Sequence, residues 1–480
     1  MTPRSLAILL GIVWLLLLAP PVAAGGSPVA VGGGGGGVDG GDGGDAAGAT
    51  APVDGACTGR MTEPAAGITV VSTQGARLGD DVAGKRPARL VAFGPTGEVL
   101  WVHHSGREHG VVWSYDVDPM ADGDLFVTAT TTGRTELYEL NTTTGEREWV
   151  ETLNMTDTHD ADYLGDGRIV VANMRNYDAA NGTNDDRVVV YDRTTDEIVW
   201  EWRFERVFDR EGGGDYEEDW THLNDVDAVG DGRFLLSPRN FDSVLLVDRD
   251  SKEVVRRLGR DDRHEILFEQ HNPDYLRSDG GRDTFLVADS ENDRVVEYEH
   301  TGLRWRRTWT AGSSETLNWP RDADRLPDGN TLVADSRNDR VVELTPDGEV
   351  VWEAYAPWLV YDVERVPVGD GSRGPTVADV NAGGATSLQN ASPPSVSRRE
   401  RCAAALRNHS GGFGNVAEST TPTTTVSPPS TASSTRSGGD PGTAANPVQG
   451  IGDGFGLRAA LFAVAALVVA LGRSRERGEG

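Results

Sequence analysis

Four residues in the chain have side chains suited to joint chemistry: His159, His222, Arg239 and His271. His159 and His271 open two copies of a recurring pattern, "HDADYLGDGRIVVAN" and "HNPDYLRSDGGRDTFLVAD", and His222 stands two residues before another, "NDVDAVGDGRFLLSP". A neutral imidazole can attack an electrophile or carry a proton near neutral pH. A planar guanidinium grips two oxygens of an oxyanion at once. The set therefore suits transfer of a group whose negative charge is spread over several oxygens. Three histidines also suit zinc, but an arginine beside them would repel the ion and favour an oxyanion.

Elements of one kind must hold these residues. The pattern recurs six times, from Tyr115, His159, Asn224, His271, Arg321 and Tyr361, each copy reading as a strand after which a DG turn follows. A second signal, a hairpin rich in turn residues, recurs near Trp101, Trp149, Trp200, Glu253, Trp305 and Trp352. The two series are offset: the first hairpin has no inner strand before it and the last inner strand has no hairpin after it. This predicts an all-β fold, a six-bladed β-propeller over residues 66–370, whose ring closes when the C-terminal inner strand pairs into the first hairpin's sheet.

In such a fold the inner strands line a central channel, and their first residues ring one mouth. The framework repeats while this position varies, and every variant is polar. Tyr115, Asn224, Arg321 and Tyr361 are thus expected to bind substrate beside the histidines, and strand alternation would put His222 and Asn224 on one side. A further aligned position holds Arg175, Arg239, Glu291 and Arg337. Arg175 and Arg337 read as turn and ion-pair residues, and Arg239, which follows Pro238, as the functional one. The Asp-x-Asp pairs offer either blade-to-blade hydrogen bonding, the favoured reading, or calcium ligands. Trp220 and Trp319 read either as aromatic walls of the mouth or as packing between blades. The other six histidines read as solvated or packing residues.

The chain has 480 residues and a net charge of −30, and of its 45 basic residues only Lys85 and Lys252 are lysine. This excludes nucleic acid as a natural partner and resembles the composition of halophilic archaeal proteins. Residues 1–24 read as a signal peptide or an uncleaved anchor, 25–65 as a Gly/Asp-rich tether, and 371–450 as a Ser/Thr/Pro-rich stalk. Residues 455–472 read as a transmembrane or sorting segment followed by Arg473, Arg475 and Arg477. That end resembles an archaeal surface-sorting signal, with Asp453 where the pattern has proline. The expected location is the outer face of the cell membrane, anchored by the C-terminal and, if uncleaved, the N-terminal apolar segment. Cys57 and Cys402 flank the repeats and read as a disulfide staple or as two free thiols.

At "THLNDVD", "SPRNFD" and "EQHNPDYL" the sequence resembles the arylsulfotransferase family over roughly residues 66–370. The resemblance implies a six-bladed propeller enzyme that moves a sulfuryl group from a phenolic sulfate ester to a phenol, with no nucleotide donor and no cofactor. It implies catalytic roles for His159, His222, Arg239 and His271, with the sulfohistidine at His271. The large amino-terminal β domain of bacterial periplasmic members has no counterpart here. The spacing from Arg239 to His271 is also shorter than in the family, and His222 is the rival nucleophile. Two other readings stay open: a non-catalytic surface propeller that binds a ligand, glycan or protein, and a metal-dependent hydrolase or lyase built on the histidines.

Overall fold

A computed structural model describes residues 55–75, 88–278, 280–369, 371–409 and 412–413. Six antiparallel sheets form the blades of a propeller. Their innermost strands are Val360–Val366, Trp113–Pro119, Ala161–Gly165, Leu223–Ala228, His271–Arg277 and Pro320–Arg325. The first of these comes last in sequence: it pairs with Ile68–Thr73, placing Ile68 opposite Val366 and Thr73 opposite Val360. Closure joins the two ends of the repeat region in one blade, as the offset of the two sequence signals required.

Six hydrophobic clusters fill the spaces between neighbouring blades, built from the apolar alternations of their strands. Tryptophans of the outer strands couple the blades. Trp202 Nε1 donates to Lys252 O at 3.1 Å, Trp309 Nε1 to Pro346 O at 3.0 Å, and Trp352 Nε1 to Pro95 O at 3.1 Å across the ring closure.

A second device recurs on the mouth face. Short 3-10 turns, Arg239–Phe241, Ser290–Asn292 and Ser336–Asn338, each end on a left-handed aspartate, Asp242, Asp293 or Asp339. Each aspartate accepts from the backbone entering the next blade: Asp242 from Glu269 N at 2.9 Å, Asp293 from Trp319 N at 2.9 Å, and Asp339 from Leu359 N at 3.1 Å. The entry to each of these three inner strands, His271–Arg277, Pro320–Arg325 and Val360–Val366, is thereby fixed by the blade before it.

The flanks depart from the sequence reading. Thr58–Met61, counted with the tether, adds a strand to the outer edge of the sixth blade, with Thr58 opposite Ala354. Gly384–Thr386, counted with the stalk, runs parallel to the outer strand of the fifth blade, and Val396–Asn408 is a helix whose Cys402, Ala403 and Leu406 are buried. The cause is edge protection: these segments cover outer strands that would otherwise expose unpaired backbone. Cys57 and Cys402 lie in one cluster with their sulfurs 2.02 Å apart. Among the described residues no helix is long and apolar enough to cross a membrane. The terminal apolar segments and the Ser/Thr/Pro-rich stretch from residue 414 lie outside the described residues.

Candidate active site at the mouth of the channel

The channel mouth is built in two tiers. The residues expected to ring it form the deeper one: Tyr115, His159, Asn224, His271, Arg321 and Tyr361 are each at most 3% exposed. Two positions earlier in each repeat stand Trp113, Asp157, His222, Glu269, Trp319 and Leu359, and in the last five of these the backbone is left-handed, with φ from 42° at His222 to 68° at Leu359. Such conformations are costly for non-glycine residues and collect at functional sites. They lift this upper tier out of the strand alternation. His222 and Asn224 both meet His159, the first ring to ring with centres 5.0 Å apart and the second at Nδ1, but His222 makes its own hydrogen bond to Asp219.

All three histidines have Nδ1 held by the protein. Asn224 donates through Nδ2 to Gln270 O at 3.0 Å, which turns its Oδ1 toward His159 Nδ1, 3.0 Å away. His159 Nδ1 therefore carries the proton. Ser290 Oγ spends its hydrogen on Pro320 O at 2.7 Å, so it accepts from His271 Nδ1 at 2.8 Å, and Glu269 O offers a second acceptor at 3.2 Å. His222 Nδ1 meets both oxygens of Asp219 at 2.8 and 3.0 Å. In the neutral rings of His222 and His271 the lone pair is left on Nε2.

The electrostatics keep these rings neutral. Burial, then the Arg239 charge, lowers His222 to about 4 against the Asp219 hydrogen bond. Burial also pushes His271 well below its ordinary value, aided by the charges of Arg321 and Arg239. Asp219 stays ionised: burial would raise it, but the His222 hydrogen bond and the Arg175 and Arg239 cations hold it down to about 2.

Arg239 reaches the mouth for a reason the sequence alignment obscured. The turns align Arg239 with Ser290 and Ser336, one residue from the alignment with Glu291 and Arg337. Those serines bond His271 and Arg321, so this is the turn position that faces the mouth. Arg239 N donates to His222 O at 3.2 Å, tying the two residues through the backbone. Its guanidinium meets Asn240 Oδ1 at 3.1 Å but carboxylates only at 3.7 Å, Glu269, and 3.8 Å, Asp219. Arg175, by contrast, is firmly paired with Asp157 at 2.9 Å and Asp219 at 3.1 Å.

The four residues expected to bind substrate have their polar atoms engaged inside the protein. Arg321 donates from all three nitrogens, to Ser336 Oγ at 3.1 Å, Gln74 Oε1 at 2.6 Å and Val360 O at 2.9 Å. Tyr115 donates to Asp157 at 2.8 Å, Tyr361 to Asn224 O at 3.3 Å, and the Asn224 amide is consumed as described. With these atoms engaged they brace the tier that also holds His159 and His271, which are buried to the same degree.

Asp219, Asp157 and Ser290 were missed in the sequence. Asp157 and Trp319 share the aligned position of His222, a signal that was available. Trp220 is packed against Phe241 and Tyr216, while Trp319 is half-buried and edge-on to His271, ring centres 5.6 Å apart. Below the tiers, Asp-x-Asp residues do bond between blades: Asp160 accepts from Val226 N, Asp162 from Ala228 N at 2.6 Å and Asp322 from Val363 N at 3.1 Å, and Asp362 of the related Asp-Val-Glu accepts from Val117 N at 3.0 Å.

The family model described as Arylsulfotransferase (ASST) matches residues 65–271, a span that contains His159, His222 and Arg239 and ends on His271. No curated protein matches the sequence. Among solved structures, a protein of unknown function from Bacteroides caccae is 14% identical with a TM-score of 0.43, over 62% of this chain and 98% of that one. The periplasmic gluconolactonase PpgL of Pseudomonas aeruginosa is 15% identical with a TM-score of 0.41, over 63% of this chain and 99% of its own. Likenesses this distant assign no activity.

Proposed function

We propose that the protein is a nucleotide-independent aryl sulfotransferase working through a sulfohistidine on His271, at the outer face of the cell membrane. One observation carries the reading: imidazoles fixed through Nδ1 converge on one mouth with a guanidinium that no carboxylate holds closely. The family match over residues 65–271 supports the same chemistry.

The steps follow from the tautomers. Nε2 of His271 attacks the sulfur of a phenolic sulfate, the sulfur–oxygen bond to the ring breaks, and the phenolate departs with the electron pair. Charge on the three sulfuryl oxygens is met by Arg239, whose fork suits two of them. The positive charge that develops on the sulfated ring is eased by Ser290 Oγ and Glu269 O at Nδ1. A phenol then replaces the first product and gives its proton to Nε2 of His222 or His159. Its oxygen attacks sulfur, and His271 leaves as the neutral ring. Asp219 stabilises the imidazolium formed on His222. The test is acceptor-dependent release of phenol from a chromogenic aryl sulfate in molar salt. Release that ignores added phenols would point to a hydrolase, and absence of release over a panel of donors to a binding protein.

A further inference from the structure

The carboxylates of the channel present a separate problem. In three blades the aspartate after the ring position accepts from the second residue after the ring position of the next blade: Asp160 from Val226 N, Asp322 from Val363 N, and Asp362 from Val117 N. For Asp225 that residue is Pro273, which has no N–H. The Oδ2 of Asp225, a residue only 4% exposed, has no hydrogen-bond partner among the described residues; nor has that of Asp116, whose counterpart Ala161 does carry an N–H.

This oxygen is not left among neutral neighbours. Ligand atoms of Asp160, Asp225 and Asp227 all lie within 4.8 Å of one another. A cavity of about 410 Å³, lined by Asp274, Tyr275, Ser372 and Arg373, has Asp227 of the cluster in its wall. A buried carboxylate must be neutralised by a proton or a cation. Three converging carboxylates with no sulfur or imidazole ligand suit a hard ion that accepts irregular oxygen coordination.

We propose that Asp160, Asp225 and Asp227 bind a divalent cation, calcium, which ties the third blade to the fourth where Pro273 offers Asp225 no N–H. The site is independent of the sulfuryl-transfer reading, since it lies below the histidines and shares no residue with them. Its role is structural.

Calcium is added to the purified full-length protein, previously stripped with a chelator in molar sodium or potassium chloride, and both bound metal and the unfolding temperature are measured. One calcium per chain and a higher unfolding temperature are expected, and Asp225→Asn should weaken binding at least about tenfold. Pro273→Ala is the sharper variant: it restores an N–H for Asp225 and should weaken calcium binding while leaving the chelated protein as stable as wild type or more so. No bound calcium, or a transition that calcium does not move, overturns the site and assigns Asp225 a proton instead. Stabilisation by any divalent salt that survives in Asp225→Asn also overturns it, as a general ionic effect.

Discussion

The carboxylate of Asp219 lies 2.8 Å from Nδ1 of His222 and 3.1 Å from Arg175. One acid thus fixes the His222 imidazole, which the proposed reaction uses, while a neighbouring arginine fixes the acid. Asp219→Asn keeps the shape but can present its amide to the ring and stabilises an imidazolium poorly. The expected result is a fall in kcat of about 100-fold with a small change in KM. A parallel rise in KM of the same size would make Asp219 a binding residue.

Arg239 is expected to act through its fork. Arg239→Lys retains the charge but not the two parallel donors, and kcat/KM should fall by about 30-fold or more. Steady-state kinetics on both proteins check this. Equal activity would mean that only the charge matters.

The pH dependence follows from the lowered histidines. His222 falls from 6.5 to about 4. Transfer should therefore persist, unlike that of an enzyme relying on an ordinary histidine, from neutrality down through pH 6.5 and fail only as the pH nears 4. The stability linkage has the same direction. Between about 6.5 and 4 the unfolded chain binds the proton that the folded site refuses, so the contribution of His222 is complete above that window and lost on acidification. A kcat/KM profile with its midpoint near 6.5 would contradict this.

Much of the frame was legible in the sequence because a propeller repeats its backbone problem six times, and the DG turns, the hairpin tryptophans and the offset of the two series each record it. The ring of variable residues was legible for the same reason. What was not legible was hydrogen bonding. Tyr361 and Arg321 read as ligand contacts, whereas the structure commits the Tyr361 hydroxyl to Asn224 O and the Arg321 guanidinium to Ser336, Gln74 and Val360 O. Asp219 escaped notice because it lies in a non-repeating insertion, and its meaning comes only from the contact with His222. The helix Val396–Asn408 was hidden by the polar sequence before and after it, although Ser395, whose side chain accepts from Arg398 N, marks its start.

The channel acids should show the opposite pH behaviour from His222. Burial, then Glu364 and Asp322, raises Asp324 well above 3.8, and its Oδ2 has no hydrogen-bond partner among the described residues. A raised folded value means that stability is greatest below 3.8 and is lost as pH rises and the proton leaves. Asp324→Asn should thus stabilise the protein at neutral pH by on the order of 1 kcal/mol, with the gain shrinking on acidification. Denaturant titrations at several pH values read this directly, and destabilisation at neutral pH would show that the ionised carboxylate is compensated.

The central claim rests on His271. The most direct measurement is intact-protein mass after exposure to an aryl sulfate without acceptor, for the wild type and for His271→Asn. A single sulfuryl adduct that is absent from His271→Asn and discharged by added phenol is the expected result. An adduct that persists in the variant would move the nucleophile to His222, and turnover with no adduct under rapid quenching would contradict a covalent intermediate altogether.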